Sequence, residues 1–268
     1  VVTPKGLLDQ YGSDAVRYWA ANGRPGTDTA FDEGQMKIGR RLAIKILNAS
    51  KFTLTLAGDS EADLSSVSNP LDQALLSKLT DLIETATAAF EDFDYARALE
   101  KTEQFFWDFT DDYVELVKAR AYGSQGPQEA ESAHTALKIT LDALLRLFAP
   151  FLPFVTAEVW EWSHQDSIHC APWPTKANLT EGLPKELDIR ILDAASETLS
   201  EVRRAKTEAK RSLKAKAEKV VVSATSERIN LVKLVHNYLV EAGNIETLEL
   251  VEQEGTAPQV EVTLEEEE

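Results

Sequence analysis

The chain is poor in the residue types that mark most specialised protein classes. It has one cysteine, one methionine, four histidines and only 28 basic residues against 45 acidic ones. A lone cysteine, Cys170, excludes an internal disulfide and suits a reducing compartment, so a cytoplasmic location is expected. With four histidines and no CxxC or HxxxH spacing, no ligand set for zinc exists and no metal residue is assigned. No apolar run approaches the ~20 residues of a membrane span, so no membrane partner is expected. GxSxG, P-loop, GxGxxG and HExxH patterns are all missing, which leaves no constellation for independent catalysis and no catalytic residue. The opening Val1-Val2-Thr3-Pro4 has no initiator methionine, and the chain is expected to be a piece of a longer protein.

What is present is ordinary for a folded chain. The hydrophobic fraction is 43% and the charged fraction 27% over 268 residues, enough for one or two domains with a real core. The net charge of −17 argues against a polyanionic partner only if charge is spread evenly, because phosphate recognition works through local lysine and arginine. The acidic excess gathers at 59–63, 84–94, 246–254 and 261–268.

Apolar periodicity predicts a mainly helical fold. Residues 1–30 read as a short helix-rich piece closed by Arg24-Pro25-Gly26. A long helix follows from Phe31 to about Leu56 with Ile38, Leu42, Ile46 and Ala49 on one face, then a polar loop and a second helix over 71–90. Tyr95, Leu99, Thr102, Phe106, Phe109, Tyr113 and Leu116 form one sustained core-facing stripe of a third helix. A fourth spans 128–148 up to Pro150, and Pro153 opens a short fifth. Together these describe an antiparallel bundle over 31–178. Ser167 to Pro174 reads as an extended piece, and 179–184 as a linker. Residues 179–268 then read as a small α/β unit in the order αβαββ: a helix over 187–213, a strand around Val220–Val222, a helix from Ser226, and strands at 248–251 and 260–264.

Two basic clusters stand out. Arg41, Lys45, Asn48 and Phe52 share one face of the first bundle helix, where cations would hold phosphate, an amide would read a base edge and a ring would stack an unpaired base. The same spacing also suits a solvated face with Phe52 tucked inward. Arg203, Lys206, Lys210 and Lys214 form a second stripe at helical spacing that could track a phosphate backbone, or simply complement the C-terminal end of a helix. The neighbours Asp111-Asp112 and His169-Cys170 read as structural, and the five tryptophans as core and junction residues.

Several separated motifs resemble class I aminoacyl-tRNA synthetases, and within them the valyl family. Tyr11-Gly12-Ser13-Asp14-Ala15-Val16-Arg17 resembles the YGADALR segment after the KMSKS loop, and Arg24-Pro25-Gly26-Thr27-Asp28 leans to the valyl branch. Asn48-Ala49-Ser50-Lys51-Phe52 resembles NASRF. Trp107 to Glu115 resembles WxxFCDWYLE, with Thr110 and Asp112 in place of Cys and Trp. Leu147 to Val155 resembles LLHPFMPFI, with Ala149 where histidine is common. Ser167-Ile168-His169 with Ala171-Pro172-Trp173-Pro174 resembles SIHLAPWP. Arg41 stands where the family usually has Asn.

The resemblance implies that 1–30 is a stem-contact segment following a catalytic domain, and that the bundle reads the anticodon of valine tRNA. The family's anticodon contacts fall on Lys45, Phe52 and Val114. It further implies a monomer whose partners are valine tRNA and a catalytic domain of the same chain. No cofactor is expected in this piece, ATP serving the parent enzyme. The same region of an isoleucyl, leucyl or methionyl synthetase is an alternative, though the absent zinc cysteines lean away from isoleucyl. A helical protein-interaction module without RNA binding is another.

Overall fold

A computed structural model describes residues 4–58, 62–180, 183, 187–255 and 257–265. The helices are α1 (Pro4–Tyr11), α2 (Ser13–Ala21), α3 (Glu33–Ala57), α4 (Pro70–Glu91), α5 (Tyr95–Trp107), α6 (Val114–Ala121), α7 (Pro127–Phe148), α8 (Pro153–Trp160), α9 (Ala177–Thr180), α10 (Arg190–Glu208), α11 (Ser226–Leu234) and α12 (His236–Gly243). The strands are β1 (Ala217–Ala224), β2 (Ile245–Glu252) and β3 (Gln259–Leu264). The fold is thus mainly α, a set of long helices followed by a small α/β unit. Among the described residues, no helix is long and apolar enough to cross a membrane.

Contacts divide the chain into two compact units, one of residues 1–62, 78–106 and 137–181, the other of 63–77, 107–136 and 182–268. Helices α4, α5 and α7 lend residues to both.

In the first unit, the short N-terminal helices are tied down by specific polar contacts. The Asp14 carboxylate accepts from the backbone N–H groups of Phe154 at 3.1 Å and Val155 at 2.8 Å, which caps the first turn of α8 from 140 residues away in sequence. Pro153 opens that helix without an N–H to satisfy. Arg17 donates to the carbonyls of Pro150 and Phe151, so two residues of the Tyr11–Arg17 motif grip the Pro150–Phe154 corner. Burial raises the Asp14 carboxyl above its ordinary value, against the lowering effect of those two N–H bonds. Gly39 lets α3 approach α2 closely: a Cβ there would lie 2.6 Å from Tyr18 Cβ. Phe90 stacks on Phe151 and meets Trp173 edge-on, while Trp173 Nε1 donates to Thr87 Oγ1 at 2.9 Å.

The stretch 167–174 departs from the extended reading. Ile168–Cys170 is a 3₁₀ turn, started by Ser167 Oγ accepting from the His169 N–H. Of the tryptophans, Trp160 is buried, but Trp162 is 43% exposed and does not belong to the core.

The second unit holds the α/β part. β1 lies centrally, parallel to β2 and antiparallel to β3, in the order β2-β1-β3. The parallel pair needs a crossover, supplied by α11 and α12. Val220, Val222 and Ala224 of β1 pack with Val202, Ile229 and Ile245, flanked by Leu248, Leu250, Val260, Val262 and Leu264. The alternation of period 2 puts that set on one face. The single helix expected from Ser226 is two helices, broken at the buried Val235.

The third bundle helix is also not continuous α. Asp108–Tyr113 is a π turn between α5 and α6. Its wider winding advances the register, so that Tyr113 with Val114, Leu116 with Val117, and Arg120 with Ala121 all turn inward after it. Helix α10 stops at Glu208, five residues short of the expected end at 213. Lys210 adopts a left-handed φ of 56°, and the Arg211 N–H bonds the Lys206 carbonyl at 2.8 Å while the Lys210 N–H bonds that of Thr207. This closes the helix as a Schellman motif with lysine where glycine is usual.

Candidate nucleic-acid interface

Among the described helices, α3 carries the largest excess of positive charge. Its N-terminus is capped by Asp32, whose side chain accepts from the Gly34 N–H at 2.7 Å. One seam, Met36, Gly39, Leu42, Ile46, Ser50, Thr53 and Leu56, is buried. Opposite it runs an exposed line of Lys37, Arg41, Ile44, Asn48, Lys51 and Thr55 at alternating spacings of four and three. From Lys37 to Lys51 this line is about 21 Å long at the helical rise per residue.

The helix holds five cations, Lys37, Arg40, Arg41, Lys45 and Lys51, against the single carboxylate of Glu33. Glu33 is itself engaged by the Tyr11 hydroxyl at 2.5 Å, and Arg40 donates to the Gln10 carbonyl at 2.7 Å. Among the described residues, the side chains of Lys37, Arg41 and Lys51 meet no hydrogen-bond or ion-pair partner. A helix with a net excess of four positive charges, in a chain of net charge −17, is a local attractor for phosphate.

The expected residues fall on this surface unevenly. Arg41 and Asn48 are exposed, whereas Lys45 and Phe52 are half-buried at its edge. The face read from the sequence is thus turned roughly 50° toward the buried seam from the face the fold exposes. The seam is centred on Leu42, Ile46 and Thr53 rather than on Ile38 and Ala49, which are only half-buried. Ile44, Lys37 and Lys51 were missed for that reason.

The second basic cluster is largely consumed inside its own unit. Lys206 is not on a phosphate-facing stripe: it is 1% exposed, and its Nζ donates to the Gly243 carbonyl at 2.6 Å and the Leu213 carbonyl at 3.1 Å. Burial, aided by the neighbouring Arg203 charge, lowers its pKa. Arg203 pairs with Asp112 at 3.0 Å, and Asp112 is raised above the ordinary carboxyl value, chiefly by burial. Arg204 is bracketed by Glu201 and Glu208, Lys216 by Glu246 and Glu265, and Lys219 faces Glu249. Lys210 and Lys214 are exposed, but both lie beyond the end of α10, so the four-residue helical stripe does not form.

Val114 is corrected as well. It is 5% exposed, because the π turn swings the start of α6 inward. The side chain therefore belongs to the core and offers no surface to a base.

Sequence reading missed a buried polar network in the second unit. Asp72 accepts from Tyr113 Oη at 2.7 Å, Ser132 Oγ at 2.6 Å and Arg120 Nη1 at 2.8 Å. Arg120 also donates to the Glu129 carbonyl at 3.0 Å and lies 5.2 Å from the centre of the Tyr238 ring. Asn69 Nδ2 bonds both Tyr238 Oη and Glu129. These groups are up to 169 residues apart in sequence, and no local pattern announces them. The remaining motifs stay structural or peripheral: His169 and Cys170 are both exposed on the 3₁₀ turn. Among the described residues, no group of three or more His, Cys, Asp or Glu side chains could hold a metal ion.

The sequence profile of the anticodon-binding domain of tRNA ligase matches residues 72–222, from α4 to the middle of β1. The chain belongs to this anticodon-binding domain family. Curated relatives extend the likeness over nearly the whole chain, α3 included. A valine–tRNA ligase of Thermobifida fusca is 53% identical over 249 residues, covering 92% of this chain and 28% of its own length. Those of Salinispora arenicola and Cutibacterium acnes are 46% and 45% identical, covering 94% and 92% of this chain and 31% and 28% of their own lengths. The chain thus spans about three tenths of the length of these relatives. Among solved structures, a LeuRS of Agrobacterium radiobacter K84, in ternary complex with tRNA and LeuAMS, matches with a TM-score of 0.54 and 21% identity. The match covers 68% of this chain and 21% of that one, and it shows a shared fold.

Proposed function

We propose that this anticodon-binding domain reads the anticodon of valine tRNA on behalf of a valine–tRNA ligase. The observation that carries the proposal is the exposed line on α3, which presents Lys37, Arg41 and Lys51 on a helix of five cations and one carboxylate in an otherwise acidic chain. Identities of 45–53% to valine–tRNA ligases support valine as the amino acid. In this reading Arg41, Lys37 and Lys51 hold the phosphates of the anticodon loop, and the Asn48 amide meets a base edge. Lys45 and Phe52, half-buried beside the line, serve at its margin. ATP-dependent joining of valine to its tRNA belongs to catalytic residues elsewhere in the ligase, and the domain itself acts without a cofactor and as a monomer.

Fluorescence anisotropy with valine tRNA and with a version carrying a foreign anticodon, across a salt series, tests this. The expected result is tighter binding of the natural anticodon, weakening linearly in log–log form as salt rises. Equal affinity for both tRNAs would overturn the anticodon assignment.

A further inference from the structure

Ile44 is 50% exposed, yet it occupies the middle of the exposed face of α3, the most cationic of the described helices. Arg41 lies one turn before it and Asn48 one turn after, with Lys37 and Lys51 two turns away on either side. Core packing does not account for it: Leu42 and Ile46 of the same helix take that part at 0% and 1% exposure. A single exposed aliphatic residue is common on protein surfaces. Here, however, it is the one apolar side chain in the exposed line from Lys37 to Thr55, with charged or amide groups on both sides.

An unpaired stretch of RNA presents two chemistries at once, phosphates along one edge and apolar base faces along the other. The cations match the first, and nothing charged can match the second. A β-branched side chain offers a stiff apolar wall with little rotamer freedom left to lose, and isoleucine is among the residues that pack against unstacked bases in nucleic-acid complexes.

We propose that Ile44 is a base-packing platform: one unpaired base of the bound RNA lies against its side chain. Arg41 and Lys51 take the flanking phosphates, and Asn48 reaches the edge of a neighbouring base. This rests on the reading of α3 as the RNA face and adds the residue that supplies its apolar, salt-insensitive share. Charge selects RNA as the occupant, because a polyanion repelled by the 45 carboxylates of the chain is drawn to the helix where cations outnumber carboxylates most.

The test compares the unaltered chain with Ile44→Ala, Ile44→Trp and Arg41→Ala, each checked for an unchanged circular-dichroism melt, in anisotropy titrations with valine tRNA across a salt series. Ile44→Ala is expected to weaken binding roughly 5–10-fold at every salt concentration, with a salt slope parallel to that of the unaltered chain. Ile44→Trp should bind at least as tightly as isoleucine, since a larger platform replaces a smaller one. Arg41→Ala should instead lower the slope by about one. If Arg41→Ala changes the slope while Ile44→Ala binds as before, the platform is overturned and the RNA face stands. If the unaltered chain does not bind tRNA at all, both fall.

Discussion

Asp72 and Arg120 form an ion pair in which neither side chain is accessible to solvent. Such a pair survives burial only with further hydrogen bonds to both partners, here from Tyr113 and Ser132 to Asp72 and from Arg120 to the Glu129 carbonyl, although Arg120 Nε is buried without a partner among the described residues. Replacing Arg120 with Met leaves the Asp72 carboxylate buried without its countercharge. We expect a loss of about 3–5 kcal/mol of unfolding free energy in urea titrations. The double change Asp72→Leu with Arg120→Met should recover part of that loss. Simple additivity of the two single losses would show that the pair is not energetically coupled.

The same neighbourhood holds a tyrosine whose ionisation is expected to weaken the fold in alkali. Burial, together with the adjacent Asp72 charge, raises the Tyr113 hydroxyl well above its ordinary value of 10.0. Burial raises Tyr18 and Tyr238 as well. Above about pH 10 the unfolded chain releases these protons and the folded chain retains them, so the folded state binds more protons and stability falls as pH rises. Below pH 10 the contribution is fully present. Tyr113→Phe should therefore flatten the decline of Tm between pH 9 and 11. An unchanged slope would mean that Tyr113 ionises normally in the fold.

Close packing at Gly39 gives a second test of stability. An added methyl would sit 2.6 Å from Tyr18 Cβ, inside any real contact distance, so α2 and α3 must part to admit it. Gly39→Ala is expected to cost about 1–3 kcal/mol despite the better helix propensity of alanine. Gly6→Ala, with open space around the new Cβ, should instead be neutral or stabilise by up to about 1 kcal/mol. Thermal melts of the two variants that shift alike would contradict the packing argument.

Lys206 and Arg41 should separate stability from binding. Lys206→Met removes the donor that satisfies the Gly243 and Leu213 carbonyls, and should cost about 1–3 kcal/mol of stability without altering the salt slope of tRNA binding. Arg41→Ala should do the opposite. A changed slope for Lys206→Met would restore that lysine to the RNA surface.

The helical architecture was legible because long amphipathic stretches repeat their apolar spacing many times. The stripe from Leu99 to Leu116 is buried throughout, and the α/β order of the C-terminal part follows from short apolar runs between turn signals. What the pattern could not carry was phase. The π turn at 108–113 changes which side of α6 faces inward, and so Val114 was misjudged. The end of α10 was hidden because its left-handed residue is a lysine rather than a glycine, and that lysine broke the basic stripe. On α3 the cluster was found but its centre was misplaced, since Ser50 and Thr53 are buried despite their hydroxyls. The Asp72–Arg120 network could not be read at all, because each member alone looks like an ordinary surface polar residue.

The three-stranded sheet has two outer strands, β2 and β3, each paired on one side only among the described residues. An open strand edge invites a second chain to add to it. Here β2 bears Glu246, Glu249 and Glu252, and β3 bears Glu261, with Glu265 just past its end. Glu246 and Glu265 pair with Lys216, Glu249 with Lys219 and Glu252 with Lys233, so both edges are lined with charged side chains of both signs, a composition that disfavours edge-to-edge pairing. The ion pairs that use up part of the second basic cluster thus also keep the open edges of the sheet charged.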